Sequence, residues 1–160
     1  MNTIRCVFVG NSGVGKTTFL NRAADKHHLV LPTIGVDNVF FRFKGIQYQC
    51  WDTSGAEKFK VLAQIFIKNT KHCVYMYDAA RHETFEECNI PPGALIVANV
   101  QHFNGSLPEN HIGVDVGADE SIYHVLDILR LREGVSPVEI TQSPVTQSPE
   151  SPQTCCCWGI

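Results

Sequence analysis

Charge is scarce in this sequence, and neither sign dominates it. Of 160 residues, 18% are charged and the formal net charge is -3. Nothing in it is polybasic, which excludes a partner held by neutralising a phosphate backbone, so no nucleic acid is expected. Long apolar runs are missing too: a membrane-spanning helix needs about eighteen or more consecutive apolar residues, and no such run occurs. The opening stretch MNTIRCVFVG has no charged leader ahead of an apolar core, so a secretory signal is not expected and the chain should be kept in the cytosol. Cysteine is present but not patterned. Cys6, Cys50, Cys73 and Cys88 are scattered through apolar surroundings, where a free thiol packs as a small hydrophobe, and this excludes a disulfide framework.

What is there divides in two. Residues 1–133 read as one domain, long enough to bury a core. The β-branched run Ile4–Val9 leads into glycines and then a helical pattern over Lys16–Ala24. Val39–Phe43 and Ile46–Asp52 flank Lys44-Gly45, a hairpin signal. Phe59, Leu62, Ala63, Phe66 and Ile67 recur at helical spacing, His72–Tyr77 and Ala94–Asn99 are buried-strand runs, and Ile122, Val125, Leu126 and Leu129 mark a last amphipathic helix. Strands alternating with helices imply an α/β fold, a mostly parallel sheet with helices on both faces and one antiparallel hairpin at its edge. Residues 134–160 differ. TQSP occurs at Thr141–Pro144 and again at Thr146–Pro149, and such a polar, proline-rich stretch cannot bury enough apolar area to offset its ordering entropy. A disordered tether is expected there, ending in the cluster Cys155, Cys156 and Cys157.

The strongest chemical signal is GNSGVGKT, Gly10 to Thr17, which fits G-x-x-x-x-G-K-S/T between a predicted strand and a predicted helix. Gly10, Gly13 and Gly15 let the backbone approach a polyphosphate, and the amides of Asn11, Ser12 and Val14 lie in the same turn. With the positive end of the helix dipole they make an anion cradle, in which Lys16 reaches the β and γ phosphates and the Thr17 hydroxyl ligates magnesium. The run ending in Trp51-Asp52, followed by Gly55, puts a carboxylate beside that cradle to hold magnesium through water, and a glycine amide where it meets a γ-phosphate.

GNSGVGKT, PTIGVD at Pro32–Asp37, WDTSGAEKF at Trp51–Phe59 and YDAARHETFE at Tyr77–Glu86 resemble a Ras-superfamily small GTPase, and IGVD followed by WDT is most similar to the Rab branch. The resemblance spans nearly all of residues 3–86 and implies the P-loop NTPase fold, GTP and GDP as ligands, Mg2+ as cofactor, and two loops ordered by the γ-phosphate. It implies Thr33 as a magnesium and γ-phosphate ligand beside Thr17 and Asp52, Gly55 as the hinge of the second switch, and catalysis carried by Lys16, Thr33 and Gly55. Asn99 and Ala118 would be what remains of the guanine reader. Effector and regulatory proteins would meet Trp51 and Phe66 on the switch surface. The ending C-C-C-W-G-I reads either as a C-a-a-X signal on Cys157 or as the paired-cysteine ending of Rabs, with Cys156 and Cys157 both prenylated. Either tethers the chain peripherally to the cytoplasmic face of a membrane, as a switch in vesicle trafficking.

Three departures qualify this. Ala56 stands where the family has a water-orienting glutamine, so hydrolysis is expected to be slow. Val100 and His102 replace the lysine and aspartate of the N-K-x-D motif, and an imidazole cannot supply the two acceptors that guanine N1 and N2 require, so guanine preference is expected to be weak. The crossover at residues 79–93 is barely long enough for a helix, which implies that part of one sheet face is left for a partner to cover. A slow GTPase, a hydrolysis-deficient nucleotide-gated binding module and a pseudo-GTPase scaffold are the competing readings.

Overall fold

The computed structural model describes residues 3–25 and 32–136. Strand β1 (Thr3–Val9) leads through the glycine-rich loop into helix α1 (Lys16–Ala23), followed by β2 (Val36–Phe43), β3 (Ile46–Thr53), α2 (Lys60–Asn69), β4 (His72–Asp78), β5 (Leu95–Asn99), β6 (Ile112–Val114) and α3 (Asp119–Glu133). The strands form one six-stranded sheet in the order β2-β3-β1-β4-β5-β6. Only β2 and β3 run antiparallel, as the hairpin signal implies; Lys44 and Gly45 both take positive φ (49° and 75°), the two-residue turn whose twist matches paired strands.

Alternation along β1 splits the core. Cys6 and Phe8 point to the face covered by α1 and α3, where Phe19, Leu20, Ile122, Val125, Leu126 and Leu129 are fully buried. Tyr48 joins this layer and donates its hydroxyl to the Leu126 carbonyl at 3.0 Å, leaving no buried polar end unpaired there. Val7 and Val9 point to the other face, with Tyr75, Tyr77 and Ala98, under Ala63, Phe66 and Ile67 of α2. Cys6, Cys50 and Cys73 are buried free thiols, as expected; the side chain of Cys88 lies outside the described residues.

The crossover from β4 to β5 carries no α-helix, only single 3-10 turns at His82–Thr84 and Glu87–Asn89. The expectation that it leaves sheet uncovered is not met. Phe85 and Ile90 from the crossover, with Phe103 and Leu107 from the β5–β6 connection, pack on Tyr75, Tyr77 and Ala98 in place of helices. Large side chains on short turns thus cover this part of the sheet, leaving Tyr75, Tyr77 and Ala98 buried. Strand β6, too short to announce itself by periodicity, pairs parallel with β5 and carries the sheet one strand further than the sequence suggested.

Helix α3 closes with Gly134 at φ 73°, where the Val135 amide reaches back to the Arg130 carbonyl at 3.2 Å, a glycine C-cap that turns the chain off the helix. Its last residue, Glu133, meets the buried His72 of β4 and, at 3.0 Å, Lys71. The hydrogen bond with His72, more than the Lys71 charge, holds the Glu133 carboxyl below its ordinary value. A lowered folded value means stability that is present above the unfolded value near 4.5 and is lost as pH falls through the folded one. Glu133→Gln is therefore expected to lower the unfolding free energy by about 1 kcal/mol at neutral pH and to flatten the acid limb of the stability profile, measured by urea melts between pH 3 and 7. An unchanged acid limb would show that this pair does not fasten the helix.

Candidate functional site

The five parallel strands end on one side of the sheet, and the loops that follow them meet there. In such sheets the crevice beyond the carboxyl ends is where ligands bind. Gly10, Gly13 and Gly15 have φ of 139°, 75° and 104°, the region closed to most other residues, and a Cβ on Gly10 would lie 2.0 Å from the Met76 carbonyl oxygen. The loop is thereby pressed onto β4 and its turn is fixed before α1 begins. Val14 is buried, and its carbonyl accepts from Asn99 Nδ2 at 3.2 Å.

A cavity of about 420 Å³ opens at this edge, lined by Ser12, Gly13, Gly15, Lys16, Thr17, Thr33, Gly55 and Ala56 among others. Lys16 is buried, and its Nζ donates to the Gly10 and Asn11 carbonyls at 2.8 Å each. Burial lowers its pKa from 10.5 to about 8, against the upward pull of the Asp52 carboxylate. Thr17, from the first turn of α1, donates its hydroxyl to Asp52 Oδ2 at 2.5 Å, and Thr33 donates to the same oxygen at 2.9 Å. The two threonine hydroxyls are 2.8 Å apart. Burial pushes the Asp52 carboxyl up from its ordinary value, while the hydrogen bonds from Thr17 and Thr33 and the charge of Lys16 pull it down. Its other oxygen, Oδ1, is buried without a hydrogen-bond partner among the described residues.

This donor set fits magnesium. Three hard oxygens from separate segments converge, one carboxylate oxygen is left over, and magnesium takes few protein oxygens while keeping water and phosphate for the rest. Gly55 sits so close to the glycine-rich loop that a Cβ there would lie 2.2 Å from the Ser12 nitrogen, so the approach of the two loops requires glycine. Beside it, Ala56 lines the cavity, its carbonyl accepting from the Phe59 amide at 2.9 Å as the chain turns toward α2.

The structure thus brings together Lys16, Thr17, Thr33, Asp52, Gly55 and Ala56. Asn99 stands behind the loop, next to Gly15, outside this cavity. Ala118 is placed at the start of α3, but its amide donates to the Asp115 carbonyl at 2.9 Å. Cys156 and Cys157 lie outside the described residues. Trp51 and Phe66 pack at a tilt with ring centroids 5.8 Å apart and are half-buried; Ile34, Phe40, Val61, Leu62 and Ile65 are the exposed apolar side chains on the same segments. Sequence reasoning also missed Glu86, which accepts from Asn11 of the glycine-rich loop at 3.0 Å and lies 4.0 Å from Lys60 of α2. Arg81, equally unforeseen, reaches Gly13. No periodicity signals either; both depend on a crossover folded against the loop.

Comparison with known proteins gives a consistent picture. The Ras family profile matches residues 5–107. Ras-related protein Rab-7B of Dictyostelium discoideum is 35% identical over 88 residues, 54% of this chain and 45% of that protein. RABG1 of Arabidopsis thaliana is 38% identical over 89 residues, covering 52% and 44%, and Rab-3C of Bos taurus is 34% identical over 87 residues, covering 51% and 38%. The chain thus matches under half the length of these curated relatives.

Proposed function

The chain belongs to the Ras family of small GTPases, and on that premise we propose a Rab-like GTPase that binds GTP with magnesium, hydrolyses it slowly, and serves as a membrane-tethered switch in vesicle trafficking. The observation that carries the nucleotide reading is the convergence of Thr17, Thr33 and Asp52 on one oxygen beside the buried Lys16. Thr17 and Thr33 would hold the metal, and Asp52 would help hold it through water. Magnesium supplies charge neutralisation on the β and γ phosphates. The amides from Asn11 to Gly15 cradle the phosphates, Lys16 bonds the β and γ oxygens, and the Gly55 amide meets the γ-phosphate.

Thr33 and Gly55 lie on two loops joined by this cluster and by the Ser54 amide, which donates to the Gly35 carbonyl at 2.8 Å, so loss of the γ-phosphate would loosen both, which is what a switch requires. Ile34, Val61 and Ile65 are the apolar surface that such a change would present or withdraw, with Trp51 and Phe66 packed beneath as its support. Residues 1–133 form the nucleotide-binding unit and residues 134–160 the tether. Prenylation at Cys156 and Cys157 attaches it to the cytoplasmic face of a membrane, two chains giving stable anchoring where one gives reversible binding.

Protein loaded with GTP in magnesium is expected to retain guanine nucleotide through gel filtration, released by heat and identified by chromatography. A preparation that neither carries nucleotide nor takes up GTP would overturn the assignment. The second reading, a binding module that holds GTP for long periods without hydrolysing it, is favoured by the methyl group of Ala56 in the cavity.

A further inference from the structure

We propose that Arg81 holds the nucleotide base by its face, and that the site therefore accepts purine nucleotides with little regard to the pattern on the base edge. The proposal rests on the nucleotide-binding reading above. Asp52 and the threonine oxygens lie on the β3 side of β1, so a nucleotide whose phosphates sit there must extend its base toward β4, β5 and β6. Strands β4 and β5 end side by side, Asp78 opposite Asn99, and the Ala79 amide donates to the Asn99 carbonyl at 3.0 Å. Residues just past either strand therefore emerge at the same place.

Val100, where the resembling family carries its base-packing lysine, is half-buried in the second core and cannot serve; a Cβ on Gly113 would meet its Cγ1 at 3.4 Å. Arg81 comes to that place from the neighbouring strand. Its Nη2 donates to the Gly13 carbonyl at 2.7 Å and its Nε to Asp78 Oδ2 at 2.8 Å, two anchors that fix the guanidinium plane next to a residue lining the cavity. A planar cation stacks on any aromatic face, and every base has one.

Edge-reading groups, by contrast, are already used. Asn99 Nδ2 donates to the Val14 carbonyl while its Oδ1 accepts from the Gln101 amide at 3.2 Å. The amides of Gly117 and Ala118 go to Asp115, and the Asp119 carboxylate is paired with Arg22 at 2.7 Å. His102 is exposed and has one acceptor at most. Asp115 and Asp119 each have Oδ1 engaged, by the Gly117 amide and by Arg22, so neither presents two free oxygens to guanine N1 and N2, and guanine gains little over adenine or hypoxanthine at this position.

The test is competition of GDP, IDP, ADP and inorganic pyrophosphate against a fluorescent GDP analogue on the full chain with magnesium. The three diphosphates are expected within about tenfold of one another. Arg81→Ala should weaken all three by about tenfold, the size of one stacking contact, leave pyrophosphate unchanged, and be partly rescued by Arg81→Lys. A preference for GDP over ADP above a hundredfold would overturn base tolerance. Equal weakening of pyrophosphate would overturn the role of Arg81 at the base, since it would then act only by holding Gly13. Failure of every competitor and of the GDP analogue to bind would overturn the nucleotide reading itself.

Discussion

Replacing Lys16 by methionine is expected to weaken binding of GTP and GDP by about a hundredfold or more while the ligand-free protein keeps its melting temperature. The first part follows from charge-assisted bonds to phosphate, worth about 1.5–3 kcal/mol each, of which this ammonium makes two or more. The second follows from its burial. A lysine whose value falls from 10.5 to about 8 stays charged at neutral pH at a cost on the order of 3 kcal/mol, and methionine removes that cost while filling similar volume. The Gly10 and Asn11 carbonyls lose a charged donor in exchange, a loss of about the same size, so the two effects offset each other. Thermal melts with and without GDP read both halves: the ligand-free transition stays, and the rise with nucleotide disappears. A variant that binds within threefold of the parent would remove Lys16 from the phosphate site.

The same shift sets a pH dependence with a definite sign. The unfolded chain holds the Lys16 proton up to about 10.5 and the ligand-free fold only up to about 8, so between these values ligand-free stability rises with pH. Bound phosphate restores the proton. Nucleotide affinity should therefore fall above pH 8, by at most about tenfold per unit for the one proton taken up, in titrations across pH 7 to 9.5.

Changing Ala56 to glutamine is expected to raise single-turnover GTP hydrolysis at least about tenfold, with nucleotide affinity unchanged within a few-fold. Positioning of the nucleophile is a large part of phosphoryl transfer, and a carboxamide supplies both an acceptor and donors where a methyl supplies neither. The backbone is ready for it. Ala56 already faces the cavity that holds Lys16 and Gly55, and its carbonyl is engaged by Phe59, so a longer side chain extends into the cavity without refolding the turn. A glutamine variant no faster than the parent would mean that some other group in the site orients water, or that the parent is limited elsewhere; either would sink this account of Ala56.

The phosphate half of the site was legible because its information is local. Glycines at residues 10, 13 and 15 must adopt conformations few other residues tolerate, Lys16 and Thr17 follow them directly, and Asp52 closes a strand whose apolar pattern marks its end. The base half was legible only as loss: Val100 and His102 show what is missing. That Arg81 comes to Gly13, 68 residues away along the chain, cannot be read from spacing, because it depends on β4 and β5 ending in register and on a crossover held by turns instead of a helix. The shortened crossover was visible as a residue count, but its consequence was not. Apolar side chains at Phe85 and Phe103 carry no period that assigns them to a sheet face, and only packing against Tyr77 and its neighbours does so.

By itself, then, the sequence determined the glycine-rich loop between β1 and α1, the acid near the end of β3, the alternation of strands and helices, and an alanine after Gly55, since each is fixed by backbone conformation or side-chain chemistry within a few residues. The tertiary structure alone decided that Thr17 and Thr33 share one oxygen of Asp52, that the Gly117 and Ala118 amides turn to Asp115 while Asp119 pairs with Arg22, and that the Arg81 guanidinium reaches the Gly13 carbonyl. Those are matters of which distant groups are left without partners once the core has closed, and hydrogen-bond satisfaction in a fold is a property of the whole packing, not of any stretch of chain.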